Sequence, residues 1–305
     1  MDLYDGLYEK RRMRARDRGF SAFHPLVCFL YYVGAIALIM LGQHPAFLMS
    51  TVLIVIFLNL VQDNGKGMRN WWKAYLILPL FFFIIHPFIN HRGSHILFYF
   101  QANPIMLEAV IKGAMMALTL LGLLLLFLSY NLVITADKFL YLFARVLPQW
   151  ALLSMLAMRF VPLFRRRLTE IESVQRSKGL SITTGTLRSR VKHGGLFLQI
   201  LLTWSLEEAI QTADSMKARG YGTGRRSQYQ PFTFQGKDIL ALLFLVITFC
   251  VSLFGWWLGD LVLQLQPILE SPILIDREWF FYWIGMAYFC FPLVIEGRER
   301  ILWRS

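Results

Sequence analysis

Gly19–Gln62 reads GFSAFHPLVCFLYYVGAIALIMLGQHPAFLMSTVLIVIFLNLVQ and contains no Asp, Glu, Lys or Arg. A bilayer-crossing helix needs about 17–25 apolar residues, so this run is long enough for two. Gly42-Gln43-His44-Pro45 interrupts it with turn chemistry, and the run resolves into a helical hairpin with spans near Leu26–Leu41 and Ala46–Val61. Four further charge-free runs follow, Ala74–His91, Gly113–Ala136, Ile239–Gly259 and Trp279–Ile295. The expectation is an all-α polytopic membrane protein of about six transmembrane helices. Residues 1–131 form a four-span bundle, 132–237 a cytoplasmic or interfacial segment, and 238–305 a C-terminal transmembrane hairpin with a basic tail.

Composition agrees with this reading. The 305 residues are 56% hydrophobic and only 16% charged, against about 45–50% and about 25% in soluble domains. This excludes disordered chains and disulfide scaffolds. Cys28, Cys250 and Cys290 are far apart in apolar runs, with no metal or redox spacing, so buried packing roles are expected for all three. The N-terminus does not read as a signal peptide, since Asp2, Asp5 and Glu9 precede the basic run and no cleavage site follows.

The charge distribution sets an orientation. The chain carries 31 Lys+Arg against 19 Asp+Glu, a formal +12. With a cytoplasmic N-terminus, residues 1–25, 63–73, 132–237 and 296–305 face inward and hold 6, 3, 16 and 3 cations, which is 28 of 31. Only Arg92, Lys112 and Arg277 remain outside. The positive-inside rule therefore predicts both termini cytoplasmic, as an even number of spans requires. Trp71-Trp72, Trp256-Trp257 and Trp279–Trp283 fall near proposed boundaries, as an aromatic belt does. Cations that track membrane boundaries argue against nucleic acid as a partner.

Pro148–Phe164 (PQWALLSMLAMRFVPLF) is apolar, yet Arg159 lies inside it and Arg165-Arg166-Arg167 follow at once. Spanning would also carry neighbouring cations to the wrong side. The segment reads as a helix in the interface or packed on the bundle, with Arg165–Arg167 anchored to anionic headgroups of the bilayer.

The segment 132–237 carries the distinctive chemistry. Thr135 can cap a short helix through Arg145, and Pro148 opens a long helix toward Lys178. A third helix spans about Leu187 to Arg219. Leu202, Leu206, Ala209, Ile210, Ala213 and Met216 line one face, with Glu207, Glu208, Gln211 and Asp214 opposite. The two long helices end alike, in Arg176-Ser177-Lys178-Gly179-Leu180 and Lys217-Ala218-Arg219-Gly220-Tyr221. Glycine stops a helix, and cations complement the negative end of its dipole. Such tips read either as ordinary solvated C-caps or as pegs for an acidic socket, where Arg can bind a carboxylate bidentately.

These strings, in this order, resemble a known family. Phe23-His24-Pro25-Leu26 is similar to the start of its first span, and His86-Pro87-Phe88-Ile89-Asn90-His91-Arg92-Gly93 to its characteristic segment after an early span. Thr135-Ala136-Asp137-Lys138, Tyr141-Leu142, Pro148 and Arg159-Phe160-Val161-Pro162 resemble its approach to the coupling helices. Gln175–Gly179 and Ala218–Gly222 resemble its two coupling motifs. The family is the transmembrane T component of energy-coupling factor (ECF) transporters, related to the Q component of cobalt and nickel uptake systems.

The resemblance implies a multi-pass subunit of a prokaryotic inner membrane. Two ABC ATPase subunits would dock on Arg176, Ser177, Lys178, Gly179, Ala218, Arg219 and Gly220. A membrane S component would capture the vitamin or metal ion. No catalytic residue, metal ligand or cofactor is expected in this chain. It departs from the family pattern in having Lys178 where Arg is usual, and in the span Trp279–Ile295 with its basic tail.

What the sequence lacks is consistent. It has no G-x-x-x-x-G-K-[ST] loop for ATP and no Asp or Glu inside a span core for ion coupling. The alternative is a membrane-embedded enzyme working at the outer face through His86, His91 and Glu108. Against it, Glu108 and Lys112 stand at i,i+4 and are expected to pair with each other, His86-Pro87 reads as a helix-ending pair, and His86, His91 and His95 are expected to serve loop packing or hydrogen bonding. An ordinary ABC permease would need a Glu-Ala-Ala-type coupling loop, and Glu207-Glu208-Ala209 lacks its downstream Gly and spacing.

Overall fold

Prolines set several of the helix starts. Pro25, Pro45 and Pro148 each sit in the first turn of a helix, where a missing N–H costs nothing. The computed structural model describes residues 19–90, 93, 95–100, 103–144, 146–178, 186–224, 232–263 and 276–302. Its helices are α1 (Pro25–Leu41), α2 (Pro45–Asp63), α3 (Lys66–Ile89), α4 (Leu107–Val133), α5 (Ala136–Ala144), α6 (Pro148–Ser177), α7 (Leu187–Ala218), α8 (Gly236–Leu258) and α9 (Asp276–Leu302). A short 3-10 turn, Gly19–Ala22, precedes them.

Five of these helices are long and apolar enough to cross a membrane: α2, α3, α4, α8 and α9. The 17-residue α1 is apolar but shorter. They coincide with the six runs read from the sequence. Asn64 and Gly65, at φ 50° and φ 71°, make the left-handed turn between α2 and α3.

Two local features differ from the sequence reading. His86-Pro87 does not end α3, which continues to Ile89, where the Asn90 N–H caps the His86 carbonyl at 3.0 Å. Pro87 sits in the last turn, with Gly113 of α4 close beside it: a Cβ there would stand 3.1 Å from the Phe83 carbonyl oxygen. The second feature is an antiparallel hairpin of β1 (Ile96–Phe100) and β2 (Asn103–Met106) between α3 and α4. Its β-branched and aromatic residues favour strand, in a segment that charge-free runs mark only as a connection.

The chain divides into two compact units, one of residues 1–139 with 232–305 and the other of residues 140–231. In the first, α1, α2, α4, α8 and α9 pack around a shared core, and α3 lies mainly against α4. The starts of α1 and α8 meet the ends of α4 and α9: His24 N–H donates to Asp238, and Phe23 packs edge-on against Phe291. At the opposite end the Leu263 N–H donates to the Gln43 carbonyl at 3.0 Å, and Arg277 pairs with Asp260 at 2.7 Å. The spans therefore alternate in direction, and Gly19 and Glu296 come together at one end.

Several buried polar groups in the spans pair across helices, as a bilayer favours, although Thr51 Oγ1 and Ser252 Oγ are buried without a hydrogen-bond partner among the described residues. Tyr32 Oη lies 2.7 Å from Ser129 Oγ, which donates to Gln62 Oε1 at 2.7 Å. Asn59 Nδ2 donates across to the Leu125 carbonyl at 3.1 Å. In the second unit α6 packs on α7.

Candidate coupling site

The two basic tips are the ends of α6 and α7. In α6, Ser177 Oγ folds back to the Val174 carbonyl at 2.7 Å, and the Lys178 N–H donates to the Gln175 carbonyl at 3.0 Å. Arg176, Ser177 and Lys178 are all exposed, while Gly179 lies outside the described residues. The α7 tip is better defined. Gly220 N–H donates to the Lys217 carbonyl at 2.9 Å, and Tyr221 N–H to the Met216 carbonyl at 3.0 Å. With Gly220 at φ 80°, this pair of bonds is a Schellman turn. It stops the helix directly after Arg219, whose guanidinium is left on the last exposed turn. Within the described residues, no hydrogen bond or ion pair engages the side chains of Arg176, Lys178, Lys217 or Arg219. They are four cations held at two helix ends with their donor capacity free.

Among the described residues, the helices that carry the tips share an aromatic contact. Trp204 of α7 meets the Phe164 ring edge-on, with centroids 5.8 Å apart. The Arg167 guanidinium lies 4.9 Å above the Trp204 ring and pairs with Glu170 at 2.7 Å. Arg167 thus also braces the contact between the two helices, with its side chain still 45% exposed. At a helical rise of about 1.5 Å per residue, each tip extends roughly 15–25 Å beyond this contact. Trp204 carries no charge and lies in no motif; its only signal in the sequence is a bulky aromatic at half-helix distance from a basic end.

Both helices leave much apolar surface exposed. On α6 these include Leu153, Met155, Val161 and Val174, and on α7 Leu198, Leu202, Leu206 and Ile210. The apolar face expected of α7 is therefore present, and its Leu202, Leu206 and Ile210 are exposed. Exposed apolar surface on this scale marks a membrane or protein contact.

Among the described residues, His86 and Glu108 take separate partners. His86 Nδ1 lies 3.0 Å from the Ala109 carbonyl oxygen. Glu108, 2% exposed, accepts from the His95 N–H at 3.1 Å and faces His95 Nδ1 at 3.0 Å. It does not pair with Lys112, whose Nζ donates to Gln43 Oε1 at 3.4 Å. Glu108 sits in the first turn of α4, and that burial turns it to the adjacent loop instead of along its helix. His91 lies outside the described residues.

Residues 21–230 match the family of CbiQ, the cobalt transport protein. The chain belongs to this family. The match contains both helix tips and stops short of α8 and α9. Among curated relatives, the energy-coupling factor transporter transmembrane protein EcfT of Macrococcus caseolyticus is 26% identical over 228 residues, 70% of this chain and 85% of the relative. EcfT of Staphylococcus aureus is 25% identical over 199 residues, 60% and 74% of the two chains. EcfT of Lactobacillus helveticus is 33% identical over 98 residues, 32% and 35% of the two. Together with the apolar helices, these similarities identify an integral membrane protein of the CbiQ family, similar to transmembrane subunits of ECF transporters.

Proposed function

We propose that this CbiQ-family chain is the coupling subunit of an ECF-type importer. Two cytosolic ABC ATPase subunits dock on its tips, one at Arg176–Gly179 and one at Ala218–Gly220. ATP-driven motion passes through α6 and α7 to a membrane S component that carries a vitamin or metal ion. One observation carries this reading: two helices end in exposed cations that nothing else in the described chain engages. An Arg presented just before a Schellman stop is suited to a bidentate bond with a carboxylate in a partner's socket. The exposed apolar faces of α6 and α7 fit contact with the interface and with an S component.

The orientation follows from the same reading. With 28 of 31 cations on one side, both termini and the tips face the cytoplasm of a prokaryotic cell. Hydrolysis belongs to the partner subunits, and this chain needs no cofactor of its own.

Affinity purification of the full chain from its native membrane, with mass spectrometry of what accompanies it, tests the assembly. The expected result is one or two ABC ATPase polypeptides together with a small membrane protein. Purification of the chain with neither would contradict the proposal.

A further inference from the structure

The chain leaves the bundle after residue 139 and returns to it at residue 232. A buried charged side chain stands at each crossing. Lys138, 4% exposed, donates to the Ser21 carbonyl at 2.6 Å and to the Val133 carbonyl at 3.2 Å. Asp238, 2% exposed, accepts from the His24 N–H at 3.0 Å and from the Gln235 N–H at 2.8 Å. Both side chains therefore grip one short stretch, Ser21–His24. Burying a charge is costly unless fixed partners receive it, so each grip demands defined geometry.

The gripped stretch is itself locked to the bundle. Phe20 is fully buried, edge-on to Tyr31 at 5.2 Å and to Phe291 at 6.0 Å. Cys28 Sγ donates to the Phe20 carbonyl at 3.3 Å. Gly19, at φ 68°, lies so close to the Glu296 carboxylate that a Cβ would stand 2.5 Å from its oxygen. Lys237, beside Asp238, holds its ammonium 5.6 Å from the Phe23 ring centroid. The start of α1, the start of α8 and the end of α9 thus converge on a few residues that both chain crossings also hold.

We propose that Gly19–His24 is the fixed anchor of the coupling segment, and that Lys138 and Asp238 are the positioning residues that deliver displacement of residues 140–231 to the membrane bundle. The inference rests on the coupling reading above. A force applied at the helix tips moves the spans only if both ends of the intervening segment are held stiffly; a loose end lets the segment swivel while the bundle stays still. Two grips on one locked stretch remove that freedom.

The test uses the full chain purified with its ATPase subunits. Hydrogen exchange of residues 20–30 and 236–245 is compared in ADP and in ATP with orthovanadate, alongside ATP hydrolysis and subunit stoichiometry. In the unaltered complex these residues are expected to change protection with nucleotide. Lys138→Met and Asp238→Asn should keep the ATPases bound and hydrolysing while losing that change, and Lys138→Arg should retain it. An undiminished nucleotide response in both variants would overturn the proposal. So would failure of both to accumulate in the membrane, which would assign the residues to folding alone. Absence of ATPases from the unaltered preparation would instead overturn the coupling reading, and the anchor with it.

Discussion

Tyr288 stacks on Tyr31 with 5.4 Å between ring centroids, and its hydroxyl donates to the Tyr31 carbonyl oxygen at 2.9 Å. Tyr288 belongs to α9, beyond the residues that match the CbiQ family, and Tyr31 to α1 near the start of that match. The C-terminal hairpin is therefore part of the central packing, and Glu296 near the end of α9 lies beside Gly19, ahead of the start of α1.

This contact fixes a nearby glycine. A Cβ on Gly34 would overlap the Tyr288 hydroxyl. Gly34→Ala is expected to destabilise the detergent-solubilised protein by about 1–3 kcal/mol through overpacking. Adding Tyr288→Phe should recover part of that loss, because it removes the clashing oxygen. Thermal unfolding of the single and double variants measures both effects. Strict additivity would show that the two residues do not share this contact.

Gly220 is expected to matter for direction more than for stability. At φ 80°, an alanine there costs about 1–2 kcal/mol of backbone strain and unwinds the stop that presents Arg219. Gly222, at φ 90° with open space around it, is the matched control, since it strains the backbone equally beyond the tip. Gly220→Ala should weaken ATPase retention in pull-down, and Gly222→Ala should leave it near the unaltered level. Equal losses would detach the Schellman geometry from docking.

The six spans were legible because a bilayer imposes length and apolarity on every residue of a helix, so charge-free runs report them directly. The two tips were legible because glycine and cations punctuate helix ends. Local pairings were not. Glu108 stands four residues from Lys112 and still turns to His95, because it is buried in the first turn of α4 where the loop supplies an N–H. The contact of the exposed Arg167 with Trp204 has no local signal in the sequence. The β1–β2 hairpin lies in a connection whose consecutive aromatics, Phe98-Tyr99-Phe100, show no strand alternation in the sequence. Each miss depends on a contact distant along the chain or on burial.

Trp204 should set the stiffness of the α6–α7 pair. Its edge-to-face contact with Phe164 and its cation–π contact with Arg167 together contribute on the order of 1–2 kcal/mol. Trp204→Ala is expected to raise proteolytic cleavage within residues 160–210, with the spans unaffected. Unchanged cleavage would place the rigidity of the pair elsewhere.

The start of α1 should respond to acid. Burial holds the His24 imidazole below its ordinary value of 6.5, while the Asp238 carboxylate pulls the other way. Neutral Nδ1 also accepts the Leu26 N–H at 3.3 Å. Because the folded pKa lies below the unfolded one, this stability is present above about pH 6.5 and is lost as pH falls from there through the folded value. His24→Asn keeps an acceptor that does not titrate, so it should flatten the decline in melting temperature between about pH 7 and 5. An unchanged decline would assign it to other groups.

The most direct measurement is the amount of ATPase subunit retained by Arg219→Ala, Lys178→Ala and the double variant, each purified from membranes at equal yield. Arg219→Ala is expected to lose most of the bound ATPase, because a bidentate guanidinium bond has no substitute at that tip. Lys178→Ala should lose less, since an ammonium docks as a point charge, and the double variant should retain none. Full retention in all three would contradict the assignment of these helix ends as the docking sites.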